Sequence, residues 1–176
     1  LLPVGLFGTS IAKAALPTLS RLSDSPEEFR KTLFNALYQV SFVALPAASI
    51  LIVLRIPMVR LIFGTNLFNW ESTVQTGLVV SAFGVGVIFQ VVNSILARAF
   101  YALHNTRTPV IISVSCITLN IILDFILIKV FNLPVWGLAA AFSLSSFIQS
   151  LALFILMVKK VYRNFSFRIL SPFVKS

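Results

Sequence analysis

The sequence predicts an all-α integral membrane protein with five transmembrane helices. Three observations carry that prediction. First, 58% of the 176 residues are hydrophobic and only 11% are charged, against roughly 25% charged in an ordinary soluble domain. Second, the mean hydropathy is +0.98. Third, the charged residues fall between apolar runs, each long enough to cross about 30 Å of hydrocarbon. A soluble globule would have to hide 17 Phe and every Leu/Ile/Val run in one core, with too few charges left to cover its surface.

The first span covers residues 1–19, apolar apart from Lys13, with Gly5 and Gly8 spaced for close approach by a neighbouring helix. Lys13 has two readings: a lysine near a helix end whose ammonium snorkels to the headgroups, or a cation facing a cavity. The chain opens on Leu1 inside this apolar segment, without an initiator Met or a signal-peptide pattern, which predicts a fragment whose earlier part is missing. Residues 20–31 carry Arg21, Asp24, Glu27, Glu28, Arg30 and Lys31 and belong in water. Within them Ser25 is placed as an N-cap, Pro26 at the first helical position and Glu28 as the partner of a capping box.

The second span, 32–54, contains no charge and carries Pro46 at its middle, where a missing N–H and a ring clash predict a kink. Arg55 to Gly64 follows as an amphipathic interfacial helix, its apolar residues on one side and Arg55 and Arg60 on the other, ended by Gly64. The third span, 72–97, has thin surfaces at Gly77, Gly84 and Gly86, then Gln90, Asn93 and Ser94, which need partners inside the protein because lipid offers none. A polar hinge at 97–109 leads to the fourth span, 109–128. The fifth, 135–158, is rich in small residues at Gly137, Ala139, Ala140 and Ala141. Residues 165–176 read as an interfacial tail or the start of a further segment. No short-period repeat is visible.

The net charge is +9, but the basic residues sit at the ends of apolar runs and form no stripe with interleaved aromatics, which argues against nucleic acid. They report orientation instead. Counting loops by face gives nine Arg and Lys on one side (Arg21, Arg30, Lys31, Arg98, Arg107, Lys159, Lys160, Arg163, Arg168) and three on the other (Arg55, Arg60, Lys129). The positive-inside rule then places the hinge in the cytoplasm. The single cysteine, Cys116, lies in an apolar run and reads as a small buried hydrophobe, with no disulfide framework.

No catalytic constellation is present: His104 is the only histidine, and Asp24, Glu27 and Glu28 belong to a loop and a helix start. The expected function is therefore not enzymatic. Two groups of residues carry chemistry. Asn120 and Asp124, at i and i+4, share one face of the fourth span, where a carboxylate costs at least about 2.5 kcal/mol unless paired. Either it has a partner, such as a cation, a basic residue or a proton, or its nearness to Lys129 keeps it hydrated at the outer interface. In the hinge, Arg98 and Arg107 either anchor helix ends among the headgroups or contact an anionic substrate and gate between helices.

Four pieces of sequence resemble the lipid II flippase family, MurJ/MviN, within the multidrug/oligosaccharidyl-lipid/polysaccharide exporter superfamily. They are Ala97-Arg98-Ala99-Phe100-Tyr101-Ala102-Leu103 with Thr106-Arg107-Thr108-Pro109; Pro3-Val4-Gly5-Leu6-Phe7-Gly8 with Leu16-Pro17-Thr18-Leu19-Ser20-Arg21; Leu45-Pro46-Ala47-Ala48 with Val59-Arg60-Leu61-Ile62-Phe63; and Gly137-Leu138-Ala139-Ala140-Ala141. They arrive in the family's order and cover nearly the whole chain. The resemblance implies two six-helix lobes around a central cavity, with this chain supplying most of the second lobe. It also implies the task, which is to move a lipid-linked peptidoglycan precursor across the bacterial cytoplasmic membrane by alternating access, in partnership with membrane lipids and the missing N-terminal lobe. The other readings left open are a drug or polysaccharide exporter of the same superfamily and a non-transporting scaffold for cell-wall synthesis.

Lys13, Arg98 and Arg107 are the candidate substrate or gating residues on their own chemistry, since most of the family's diphosphate-binding arginines lie outside this chain; by resemblance, Asn120 and Asp124 form an incomplete sodium site. The only cofactor implied is that ion. Two positions depart from the family pattern. Phe142 stands where a Thr of the sodium site is expected, leaving Ser143 as a substitute only on a rotated helix, and Asn105 stands where the hinge usually carries Asp, so any salt bridge made there is lost.

Overall fold

In a computed structural model the chain is described over residues 16–23, 25–64 and 69–170, with side chains as far as 161. Lys13, Gly5 and Gly8 lie outside the described residues, as does most of the first predicted span, whose end is helical over 16–21. Five further helices follow: α1 (Pro26–Val53), α2 (Arg55–Phe63), α3 (Trp70–Ala102), α4 (Arg107–Lys129) and α5 (Trp136–Leu170). The described residues contain no strand, and α1, α3, α4 and the 136–161 part of α5 are each long and apolar enough to cross a membrane.

The helices form an up-and-down bundle built on α3 and α5, which run parallel to each other, as their contacts advance together from Ala82–Ser143 to Phe100–Lys160. α1 packs on α3, α4 packs on α5, and α2 lies along the start of α3. The core is weighted toward the end that holds the basic loops, where Leu19, Phe29, Leu33, Ile95, Leu96, Phe100, Leu153 and Met157 are buried together. The other faces are apolar and outward: Phe42 on α1, Leu61 on α2 and Ile117, Ile121 and Phe125 on α4 are all more than half exposed, as expected of side chains that meet lipid or further helices.

Helix ends depart from the sequence expectation in two instructive places. α1 begins at Pro26 after Ser25, as its first-turn residues predict, but Ser25 makes no side-chain cap hydrogen bond. The reciprocal half of a capping box is closed as well: the Ser25 N–H already donates to the Leu22 carbonyl at 3.0 Å, so the donor that Glu28 would satisfy is taken. At α3 the cap is real and was not anticipated: Asn69 Oδ1 accepts from the Ser72 N–H at 2.8 Å. Asn69→Ala is therefore expected to lower stability by about 1 kcal/mol, while Ser25→Ala stays within about 0.5 kcal/mol of wild type. Thermal unfolding of both variants in one detergent checks this, and equal losses would contradict it.

The predicted hinge is shorter than its polar composition suggests. Residues 97–102 continue α3, because Leu96, Ala99, Phe100 and Ala102 are all buried and their packing outweighs the local polarity. Only 103–106 leave the helix. The turn is a Schellman closure: Asn105 N–H donates to the Phe100 carbonyl and His104 N–H to the Tyr101 carbonyl, each at 3.0 Å, with His104 at φ 52° in the position usually held by glycine. α5 likewise runs past Val158 to Leu170, so residues 165–170 continue a helix. At 33 residues α3 is about 50 Å long, and its ends must project beyond the hydrocarbon or tilt.

α2 also differs from expectation. Of its two arginines, only Arg60 is exposed, and Arg55 turns to α3. Arg55 Nη1 donates to Ser81 Oγ on α3 at 3.1 Å, and the Arg60 guanidinium lies 5.1 Å from the Trp70 ring centroid. Arg55 and Val59 are one turn apart and share the face that meets α3. Val59 is buried there, whereas Leu61 is 89% exposed on the outside.

Candidate functional site

Polar groups in the membrane-spanning part link helices, and four buried side-chain atoms have no hydrogen-bond partner among the described residues: Gln75 Oε1, Asn93 Oδ1, Asn120 Nδ2 and Asp124 Oδ1. Asn93 on α3 donates through Nδ2 to the Ser146 carbonyl of α5 at 3.2 Å. Gln149 on α5 donates through Nε2 to Ser113 Oγ of α4 at 3.0 Å. Hydrogen bonds of this kind hold transmembrane helices in register, at about 0.6–2 kcal/mol each. They give the Asn93 and Gln149 side-chain nitrogens partners inside the protein, while Asn93 Oδ1 stays buried without one among the described residues.

Asn120 and Asp124 face inward on α4. Asn120 Nδ2 and Asp124 Oδ1 are both buried and neither has a hydrogen-bond partner among the described residues. Asp124 as a residue is half-buried, so the unpartnered oxygen is the part of it that the protein encloses. A buried, unpaired carboxylate oxygen is costly enough to demand a partner. Neither neighbour in α5 named from the sequence supplies one. The Phe142 ring packs on Phe83 of α3, centroids 5.3 Å apart, and the Ser143 hydroxyl is committed to the carbonyls of Ala82 on α3 and Ala139.

The basic end is a separate place. Arg107 is the first residue of α4 and is exposed; it lies thirteen residues from Asn120, or roughly 20 Å along the helix. Arg98 is half-buried near the end of α3 and already has a partner in the fold. The candidates named from the sequence therefore do not converge on one site: an uncharged-to-acidic pair lies in the outer half of α4 and two arginines flank the turn at the other end. Between that turn and α5 is a cleft of about 620 Å³ lined by Phe100, Asn105, Thr108, Leu156, Lys159 and Lys160. The sequence reading used its lysines only as orientation markers. The adjacent Lys159-Lys160 pair is a visible signal, but its meeting with Asn105 and Thr108 is not.

Apolar helices of bilayer length, joined by buried polar links and sealed at one end by basic turns, define a polytopic α-helical membrane protein. The family model described as lipid II flippase MurJ matches residues 1–176, and the chain belongs to that family. Among similar proteins are the probable lipid II flippase MurJ of Synechocystis sp., 31% identical over 75% of this chain and 25% of its own length, and the lipid II flippase MurJ of Thermosipho africanus, 32% identical over 72% of this chain and 26% of its own length. A solved structure of a lipid II flippase MurJ in an inward closed conformation matches the whole chain with a TM-score of 0.75 and 28% identity, over 39% of that protein. The chain thus spans well under half the length of these relatives.

Proposed function

We propose that this chain forms most of the second lobe of a lipid II flippase, which carries a lipid-linked peptidoglycan precursor from the cytoplasmic to the outer leaflet by alternating access. The observation that carries the reading is the match of fold and family over the entire chain to proteins bearing that name. Transport of this kind needs no covalent step, only two states that bind the lipid differently on the two sides. A rigid α3–α5 pair with flanking helices is the sort of body that rocks as a unit in such a cycle. The rest of the cavity comes from the other lobe, and membrane lipid covers the apolar exterior. In this proposal the basic end faces the cytoplasm, on the charge asymmetry of nine against three, and Lys13, Arg98 and Arg107 meet the anionic substrate or the gate.

Asn120 and Asp124 are proposed to hold a coupling cation, sodium by resemblance. Their fit is partial. A hard cation takes about six oxygen ligands, and this pair offers a carboxylate and an amide, whose nitrogen and oxygen exchange places on a simple flip. The remaining ligands must come from outside α4 and from groups other than the side chains of Phe142 and Ser143.

The transport reading is tested in cells depleted of their own flippase and supplied with the full-length protein that contains this chain. Labelled precursor is expected in the outer leaflet when the protein is present and lost, by tenfold or more, when it is depleted. Undiminished translocation after depletion would favour a scaffold and sink the flippase reading.

A further inference from the structure

We infer that the cleft between the α3–α4 turn and α5 binds the phosphate of an anionic membrane phospholipid. Four features of the cleft argue for this. Among the described residues its cations are Lys159 and Lys160, and none of the described lining residues is acidic. Lysine ammoniums act as point charges toward phosphate and demand no single geometry, which suits a headgroup held at a mobile surface.

A donor is also set in place. Asn105 Nδ2 donates to Thr108 Oγ1 at 2.8 Å and Asn105 Oδ1 accepts from the Thr108 N–H at 3.3 Å. This two-way link fixes Thr108 and fills an acceptor position on its hydroxyl, leaving the hydroxyl hydrogen to donate to a phosphate oxygen. With Asp in place of Asn105 this donor arrangement would be lost and a negative charge would enter the cleft.

The floor is apolar. The Phe100 ring lies 5.9 Å beneath Lys160 Nζ, and Leu156 presents a side chain that is 39% exposed, a surface for the first carbons of an acyl chain. Finally, the depth is right. The two lysines follow at once on the apolar run that ends at Val158, so they sit at the headgroup layer, on the side of the membrane where the basic residues gather. Basic pockets between transmembrane helices on that side hold anionic headgroups.

The shared chemistry is a phosphate ester, and its sources are separated by experiment. The protein in detergent is titrated with phosphatidylglycerol, with phosphatidylcholine and with inorganic phosphate, and bound lipid is counted by native mass spectrometry. Each lysine near an anionic surface contributes about fivefold in affinity. Lys159→Gln with Lys160→Gln is therefore expected to weaken phosphatidylglycerol binding roughly 25-fold, and Thr108→Val should weaken it several-fold. Lys129→Gln, at the opposite end of the bundle, should leave it unchanged. Equal binding by the double variant and wild type would overturn the proposal, and so would equal affinity for phosphatidylcholine. Displacement of the lipid by inorganic phosphate at matching concentration would assign the cleft to a free anion and overturn the lipid assignment. Should the double variant unfold, Thr108→Val decides alone, with Lys159→Arg and Lys160→Arg expected to retain binding. Lipid translocation is not the readout, so the outcome stands apart from the flippase assignment.

Discussion

Gly86→Val is expected to cost about 3 kcal/mol or more and to leave little folded protein after purification. A Cβ at Gly86 would lie 2.7 Å from Ser143 Oγ and 3.1 Å from two atoms of the Phe142 ring. Neither neighbour can yield cheaply. Ser143 is held to the carbonyls of Ala82 and Ala139, and Phe142 is held against Phe83. In a bilayer the association of helices rests on this close packing, because lipid is as apolar as the side chains it replaces. Overpacking a well-filled contact costs about 1–3 kcal/mol for added methylenes, and valine adds two methyl groups beyond the first clashing carbon. Gly84 provides the contrast on another face of α3. There a Cβ would meet Ile52 Cγ1 at 3.2 Å, the side of a movable chain on α1, and alanine gains about 1 kcal/mol of helix propensity. Gly84→Ala should therefore stay within about 1 kcal/mol of wild type. Thermal unfolding of the two variants in one detergent tests the comparison. If Gly86→Val melted with wild type, the α3–α5 contact would not be the joint on which the bundle depends.

Asp124→Asn is expected to remove cation dependence from transport by the full-length protein and to weaken cation affinity roughly 100-fold, the equivalent of about 2.8 kcal/mol. The substitution keeps volume and polarity and deletes only the charge. The expectation follows from the state of the carboxylate: Asp124 Oδ1 is buried with no partner among the described residues, one turn from the equally unpartnered Asn120 Nδ2. Asn120→Ala should produce a smaller loss of the same kind, since an amide supplies a dipole in place of a charge. A titration of sodium against translocation in proteoliposomes separates the cases. If Asp124→Asn transported with an unchanged sodium response, the pair would be a structural feature of α4 and the coupling role would be withdrawn.

Much of this was legible because membrane insertion is read locally. Runs of apolar residues bounded by charges gave the helices, and the gathering of arginine and lysine at alternate loops gave the two ends. Asn120 and Asp124 stood out since a carboxylate in such a run is expensive wherever its neighbours lie. Less legible were features that depend on which donors are already occupied. Ser25 and Glu28 look like a capping box until the Leu22 carbonyl takes the N–H that Glu28 would meet. The stretch at 97–102 looks like a loop until Phe100 and Ala99 are seen at the centre of the packing. Arg55 looks like a headgroup anchor until Ser81 meets it.

By itself the sequence determined that this protein lives in a membrane and which turns carry positive charge, because those properties are sums over consecutive residues; of the five spans it predicts, four stand among the described residues. The tertiary structure alone decided that Gly86 rather than Gly84 holds the tight joint, that Arg98 and Asp124 lie apart, and that Lys159 and Lys160 line one cleft with Asn105 and Thr108. Each of these depends on a distance between residues far apart in the chain, set by the rotation and register of one helix against another, and a one-dimensional pattern does not contain it.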